Sequence, residues 1–258
     1  MMKTLLLEEM TWPQIRKAID EGYRTVIVAA GSIEQHGRHL PIGTDTMSGY
    51  WVGTSIAKGL GHTLVAPAIR PGCSDHHMAF PGTISISADL LKDLCRAYCR
   101  CLYKHGFERI VLIATHGGNI RALQEVAPEL DAELPCKVVS PDIILDPRVE
   151  EVTDPVLARY GVTREEAGIH SGFAETSYML ASPYDHLVDM HGAECGFVGD
   201  AMARIQEAMK DGRWNMADIT SIGVLGDPTQ ASVEAGRELL AASVPIYIAV
   251  SYTHLTLP

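Results

Sequence analysis

The sequence predicts an α/β protein: a three-layer α/β/α sandwich with a mainly parallel sheet, built as one domain over residues 1–249. Three observations lead there. Four short runs are almost wholly apolar: TVIVAA (25–30), TLVAPAI (63–69), RIVLIAT (109–115) and CKVVSPDIIL (136–145). Segments of helical periodicity separate them. The apolar runs are continuous rather than alternating, as in strands buried on both faces by crossover helices.

The elements follow in order. TWPQIRKAIDEG (11–22) reads as a helix with Thr11 as N-cap, Pro13 in its first turn and Gly22 at its end. TVIVAA is the first strand. TMSGYWVGTSIAKGLG (46–61) is a helix after Asp45, and TLVAPAI the second strand. SADLLKDLCRAYCRCLYKHGF (87–107) starts on a Ser87 cap and runs as a long helix. RIVLIAT is the third strand. NIRALQEVAPELDAEL (119–134) is a helix that Pro128 kinks or breaks, and CKVVSPDIIL is the fourth strand. Residues 174–183, 196–211 and 229–243 read as helices. Residues 141–163, rich in Pro and Asp, read as irregular: a lid, an oligomer contact or a plain surface excursion.

Length and composition narrow the function. A chain of 258 residues buries a substantial core, and 47% hydrophobic with 21% charged residues is ordinary for a globular protein. The formal net charge of −11 argues against binding to a nucleic-acid backbone. No apolar run reads as a membrane span, and acidic residues interrupt the N-terminal MMKTLLLEEM before it resembles a signal sequence. The six cysteines lack zinc-knuckle spacing; reduced, packed thiols and a cytoplasmic location are expected. Val250–Pro258, VSYTHLTLP, reads as the translation of a transposase-type sequencing adapter, so fold reasoning stops at residue 249. The alternative is a native C-terminal strand, because IYIAVSY is β-prone.

The chemistry concentrates where two strands end. TVIVAA runs into GSIEQHGRHLPIGTD (31–45), and RIVLIAT runs into HGGN (116–119). In a parallel sheet both loops open on the same edge, where ligands bind. Glu34 and His36 alternate, so in extended backbone they face one side, with Gln35 pointing elsewhere. Asp45, His116 and, further on, Glu175 in HSGFAETS complete a mixed carboxylate–imidazole set. Such N/O donors suit Zn²⁺ or Mn²⁺. Five ligands exceed what one catalytic zinc takes, so two ions per subunit sharing Asp45 use the set more naturally. The alternative is a structural polar cluster.

These motifs resemble the creatininase (creatinine amidohydrolase) family. GSIEQHGRHLPIGTD is similar to the family's opening motif, SDHHMAFPGTISI to its S-x-x-H-x-x-FPGT segment and THGGN to its glycine-rich histidine motif. HSGFAETS is similar to its H-A-G-x-x-E-T-S motif, with Ser171 in place of alanine, and GVLGDPTQAS to its C-terminal segment. The resemblance implies a dinuclear metal centre, hydrolysis of an amide or cyclic-amide C–N bond, and a homo-oligomer, commonly a hexamer. Glu34 and His116 would hold one ion, His36 the other, and Asp45 would bridge. Creatininase proper carries a glutamate ligand where this chain has Gly118, and Glu175 is the natural replacement. That departure, and the absence of tryptophan between Trp51 and Trp214, weighs against creatinine as substrate.

The expected reaction is attack by a metal-bridging hydroxide on an amide carbonyl, with His170 as general acid/base. Ser74, His77, Gly117, Gly118 and Asn119 are expected at the small-molecule amide substrate. Related activities stay open: formylamino-pyrimidine nucleotide deformylation, keto-inositol ring hydrolysis, or peptide cleavage in cofactor biosynthesis. A metal-binding or sensing protein without catalysis is the reading from another class.

Overall fold

The computed structural model describes residues 3–210 and 214–256. The last residue of the helix expected over 196–211, and the final two of the adapter-like tail, lie outside the described residues.

Four parallel strands form the sheet: β1 (Thr25–Ala30), β2 (Thr63–Val65), β3 (Arg109–Ala114) and β4 (Lys137–Val139), in the order β2-β1-β3-β4. β1 and β3 pair over their full lengths, from Thr25↔Arg109 to Ala30↔Ala114. β2 and β4 are shorter than the apolar runs that contain them. Pro67 and Pro141 lack the N–H that a further ladder bond needs.

Helices cover both faces. α1 (Trp12–Asp20), α3 (Ala88–His105) and α4 (Ile120–Glu133) lie on one, and α2 (Thr44–Leu60) on the other. The caps follow local chemistry. Gln14 Oε1 accepts from the Thr11 N–H and hydroxyl, Ser87 Oγ accepts from Leu90 N–H, and α4 runs through Pro128 unbroken. Side chains alternate through the sheet. Val26, Val28, Ile110 and Leu112 pack on α1, α3 and α4, while Ile27, Ala29, Val111 and Ile113 pack on α2. Each fully buried Val, Leu or Ile contributes roughly 1.5–3 kcal/mol of transfer free energy.

The rest of the chain adds α5 (Pro147–Arg159), α6 (Arg164–Ala167), α7 (Phe173–Ala181), α8 (Ala201–Met209) and α9 (Val233–Thr256). Two expectations change here. Residues 141–163 are largely helical: Asp146 caps α5, Pro147 fits the N1 position, and Val156 and Leu157 bury against Ala235 and Leu239 of α9. The segment IYIAVSY is helix, not strand. Its Tyr247, with Leu255 further along α9, lies on the second face of the sheet core, so packing overrides β propensity. α9 is also long and apolar enough to cross a membrane, which the run-by-run reading of the sequence did not find. It packs against α7, α5 and α2.

All six cysteines are free. Cys95 and Cys99 are buried in the first core face, whereas Cys101 is exposed, so the three on α3 do not converge.

Ile113 is fully buried between β3 and the α2 layer, so Ile113→Ala should lower the unfolding free energy by about 2–5 kcal/mol. Trp12→Ala, at a site 79% exposed, should change it by no more than about 0.5 kcal/mol. Urea denaturation measures both; equal small losses would contradict the layer assignment.

Candidate metal centre

The strand order reverses between β1 and β3: β1 leads out to β2 on one side and β3 to β4 on the other. At such a switch point the two outgoing loops part and leave a crevice at the C-terminal edge. The loop after β1 carries Glu34 and His36, and Asp45 sits in the first turn of α2. His116 follows β3 directly. His170 precedes α7, and Glu175 sits in its first turn.

The structure brings the expected set together. His36 Nε2 lies 3.3 Å from Asp45 Oδ1 and 3.5 Å from Glu175 Oε1. His116 Nδ1 lies 3.2 Å from Glu34 Oε2 and 3.4 Å from Asp45 Oδ2. Asp45 thus presents one oxygen to each half of the cluster. Glu34, His36 and Asp45 are 1%, 0% and 3% exposed, so these charges have left water and need partners in the protein.

The second nitrogen of each imidazole is tied to backbone. His36 Nδ1–H donates to the Glu34 carbonyl at 3.1 Å, and His116 Nε2–H donates to the Cys73 carbonyl at 3.1 Å. Bonds of this kind fix ring orientation and leave the inward nitrogen free to ligate. His36 Nε2 and Asp45 Oδ2 are buried with no hydrogen-bond partner. Orphaned buried ligand atoms, one in each half of a set of hard oxygens and imidazole nitrogens, fit a divalent cation. Glu34–His36–Asp45 and His36–His170–Glu175 each place one ligand atom per residue within 4.8 Å of the others.

Charge explains the proton affinities of the chain by itself. Burial pushes the Glu34 and Asp45 carboxyls up, but the neighbouring imidazoles hold both at about 2. Burial likewise raises Glu175, and His36, His170 and the Ser171 N–H bring it to about 2. Burial lowers His116, and Asp45 with Glu34 outweighs it to reach about 10. His36 is likewise raised well above its ordinary value, with Glu175 and Asp45 overcoming burial. Burial and the charge on His36 push His170 down. Three carboxylates and two imidazolium rings therefore compensate each other incompletely.

The other expected residues take varied places. Ser74 is fully buried behind the cluster, within 2.5 Å of the Ser32 hydroxyl and 3.3 Å of His116 Nε2. His77, 1% exposed, lies 3.4 Å from Glu34 Oε1. Asn119 is fully buried and does not cap α4; it accepts from Cys73 N–H and donates to the Ala30 and Gly31 carbonyls, tying the β1 end to the next loop. Gly117 and Gly118 are exposed. A Cβ on Gly118 would meet the Cys73 carbonyl at 2.3 Å and His116 Nε2 at 2.5 Å, so this backbone has no room for a glutamate there. His39 is a support rather than a ligand, bonded through Nε2 to Thr176 Oγ1 at 2.8 Å.

Four participants escaped the sequence reading. Ser32 Oγ donates to Glu34 Oε2 at 2.9 Å, and Gln35, expected to point away, lies among His77, His170 and Gly223. His76 stacks on His116 at 5.6 Å and on Trp214 at 4.6 Å, so a tryptophan distant in sequence does approach the centre. Their position inside the metal motif was the available signal for Ser32 and Gln35; Trp214 gave none.

The fold and the cluster together define an α/β protein with a candidate metal centre at the switch point of its parallel sheet. More particularly, the chain belongs to the creatininase family: the family model for creatinine amidohydrolase matches residues 8–250. A mycofactocin precursor peptide peptidase of Mycolicibacterium smegmatis is 33% identical over 231 residues, 85% of this chain and 81% of the relative. The creatinine amidohydrolase of Pseudomonas putida is 29% identical over 204 residues, 74% and 76% of the two chains. A manganese form of creatininase superposes with a TM-score of 0.74 at 23% identity, covering 99% of this chain and 100% of that one.

The cluster sets a pH window for the metal-free chain. The carboxyls near 2 contribute fully above their unfolded values of about 4, and lose that contribution as pH falls toward 2. His116 contributes fully below about 6.5 and loses it as pH rises through about 10. Burial holds the His39, His76, His77 and His170 rings neutral, so they subtract stability as pH falls through about 6.5. Thermal unfolding of chelator-treated protein should therefore peak near about pH 6.5–7 and decline on both sides. A Tm that climbs steadily from pH 6 to 9 would contradict the pairing.

Proposed function

We propose that this chain is a metal-dependent amidohydrolase that cleaves an amide C–N bond, with a peptide as the favoured substrate class. The observation that carries the reading is the paired geometry around Asp45: one oxygen toward His36 and Glu175, the other toward Glu34 and His116. Glu34 and His116 would hold one Zn²⁺ or Mn²⁺, His36 and Glu175 a second, with Asp45 shared. When bound, such a pair supplies a hydroxide nucleophile at neutral pH and a Lewis acid for the carbonyl.

The chain supplies the rest. His170 turns Nδ1 toward Glu34 Oε1, 3.8 Å away, and that nitrogen takes a proton during attack and returns it to the leaving amine. Ser32 and His77 hold the Glu34 carboxylate from two sides. Gly117 and Gly118 leave the mouth open beside His116, and the Trp214–His76 stack walls it. Two findings favour a peptide over creatinine. Gly118 has no room for the extra glutamate of creatininase proper, and identity is higher to peptidases than to the creatinine enzyme. By the family resemblance the working form would be a homo-oligomer, a hexamer, and six free cysteines fit a cytoplasmic location. Val250–Pro258 we read as foreign to the native chain; Ser251 Oγ, buried without a partner, supports this.

A panel of C-terminal peptide amides, creatinine and formamides, assayed with Zn²⁺- or Mn²⁺-loaded protein, tests the reading. Peptide cleavage with creatinine inert is expected, and His170→Ala should lower kcat by about 10²–10⁴-fold while keeping its metal. Full turnover by His170→Ala would remove the proton-transfer role. Creatinine as the sole substrate would overturn the peptide preference.

A further inference from the structure

Glu34 accepts a hydrogen bond from Ser32 and faces two imidazoles, His116 at 3.2 Å and His77 at 3.4 Å. Whether His77 can donate to Glu34 depends on where its single proton sits, and the neighbouring amide of Gln35 decides this. Gly37 N–H donates to Gln35 Oε1 at 3.0 Å, and the Gly223 carbonyl accepts from Gln35 Nε2 at 3.1 Å. A backbone N–H only donates and a carbonyl only accepts, so the amide cannot be turned round. Its nitrogen therefore faces His77 Nδ1, at 2.8 Å, and that ring nitrogen must accept. The proton of the neutral ring is then on Nε2, the nitrogen 3.4 Å from Glu34 Oε1.

The backbone of the same residue acts on His170. The Gln35 carbonyl lies 2.9 Å from His170 Nε2 and can only accept; Gln35 Nε2 lies 3.0 Å from the same ring nitrogen, but its two hydrogens go to the Gly223 carbonyl and His77 Nδ1, so His170 Nε2 carries the proton and Nδ1 keeps its lone pair. Gly223 leaves the space this requires. Its φ is +78°, and a Cβ there would come 1.8 Å from Gln35 Oε1.

We propose that Gln35 is a positioning residue that sets both histidines in the Nε2–H tautomer. His77 turns that protonated nitrogen onto Glu34 as a lock; His170 turns it away and presents bare Nδ1 to the carboxylates. A consequence is that the group Glu34–His77–His170, close enough to hold a cation, does not use His77 as a ligand. The clamp steers cations to the halves on either side of Asp45. The catalytic meaning of His170 rests on the hydrolase reading above, whereas the tautomers do not.

Solid-state ¹⁵N NMR of histidine-labelled protein tests this directly, with His77→Asn identifying the His77 signals. The wild type should show bare Nδ1 and protonated Nε2 at His77, before and after Zn²⁺ loading. Gln35→Glu keeps the shape but accepts only, so the His77 proton should move to Nδ1 and Zn²⁺ affinity should fall about 10–100-fold. A wild-type His77 protonated on Nδ1, or losing its proton to Zn²⁺, overturns the proposal, as does Gln35→Glu with unchanged spectrum and affinity. If Gln35→Glu does not fold, the wild-type spectrum alone decides. A protein with these tautomers that hydrolyses no amide would sink the hydrolase reading and leave the clamp standing.

Discussion

The site depends on one electrostatic constraint: two buried carboxylates, Glu34 and Asp45, brought close to a third, the partly buried Glu175. Glu34, Asp45 and Glu175 repel one another, and no lysine or arginine is paired with them among the described residues. The chain answers with His36 and His116, whose protons supply positive charge within 3.5 Å of the oxygens. Divalent cations would replace those protons. Burial makes the exchange consequential, because an uncompensated charge in this interior costs several kcal/mol.

The fold provides the geometry for that constraint. Full-length pairing of β1 and β3 holds the two outgoing loops at a fixed separation, and Asn119 ties one to the other through two backbone hydrogen bonds, with a third from Cys73 beyond β2. A rigid frame lets each donor atom keep its aim without a ligand to organise it. Around it, Ser32, Gln35, Ser74 and His77 occupy the hydrogen-bonding capacity that the inner residues do not need for a metal.

Much of this was legible in the sequence. β1 and β3 stood out because continuous apolar runs of this length suit only strands buried on both faces. β2 and β4 were overestimated because hydrophobicity ignores the missing N–H of Pro67 and Pro141. In α5, the helix-start pair Asp146-Pro147 was outweighed by the Pro and Asp content of the segment. In α9, local β preference lost to packing on the second core face, as at Tyr247 and Leu255. Glu34, His36, Asp45 and His116 could be read from charged groups placed just past buried strands. Gln35 and Ser32 could not, because a neutral side chain becomes informative only once its partners are known. Spacing also could not tell that Ser74, His77 and Asn119 lie beneath the carboxylates, all three 1% exposed or less.

The central claim is that the halves on either side of Asp45 are a pair of metal sites. Elemental analysis of protein purified without chelator, beside Asp45→Ala, tests it most directly. The account predicts two equivalents of Zn or Mn per protomer in the wild type, and loss of both in the variant. No metal in the wild type after reconstitution would contradict it and leave Glu34, His36 and Asp45 as a structural polar cluster.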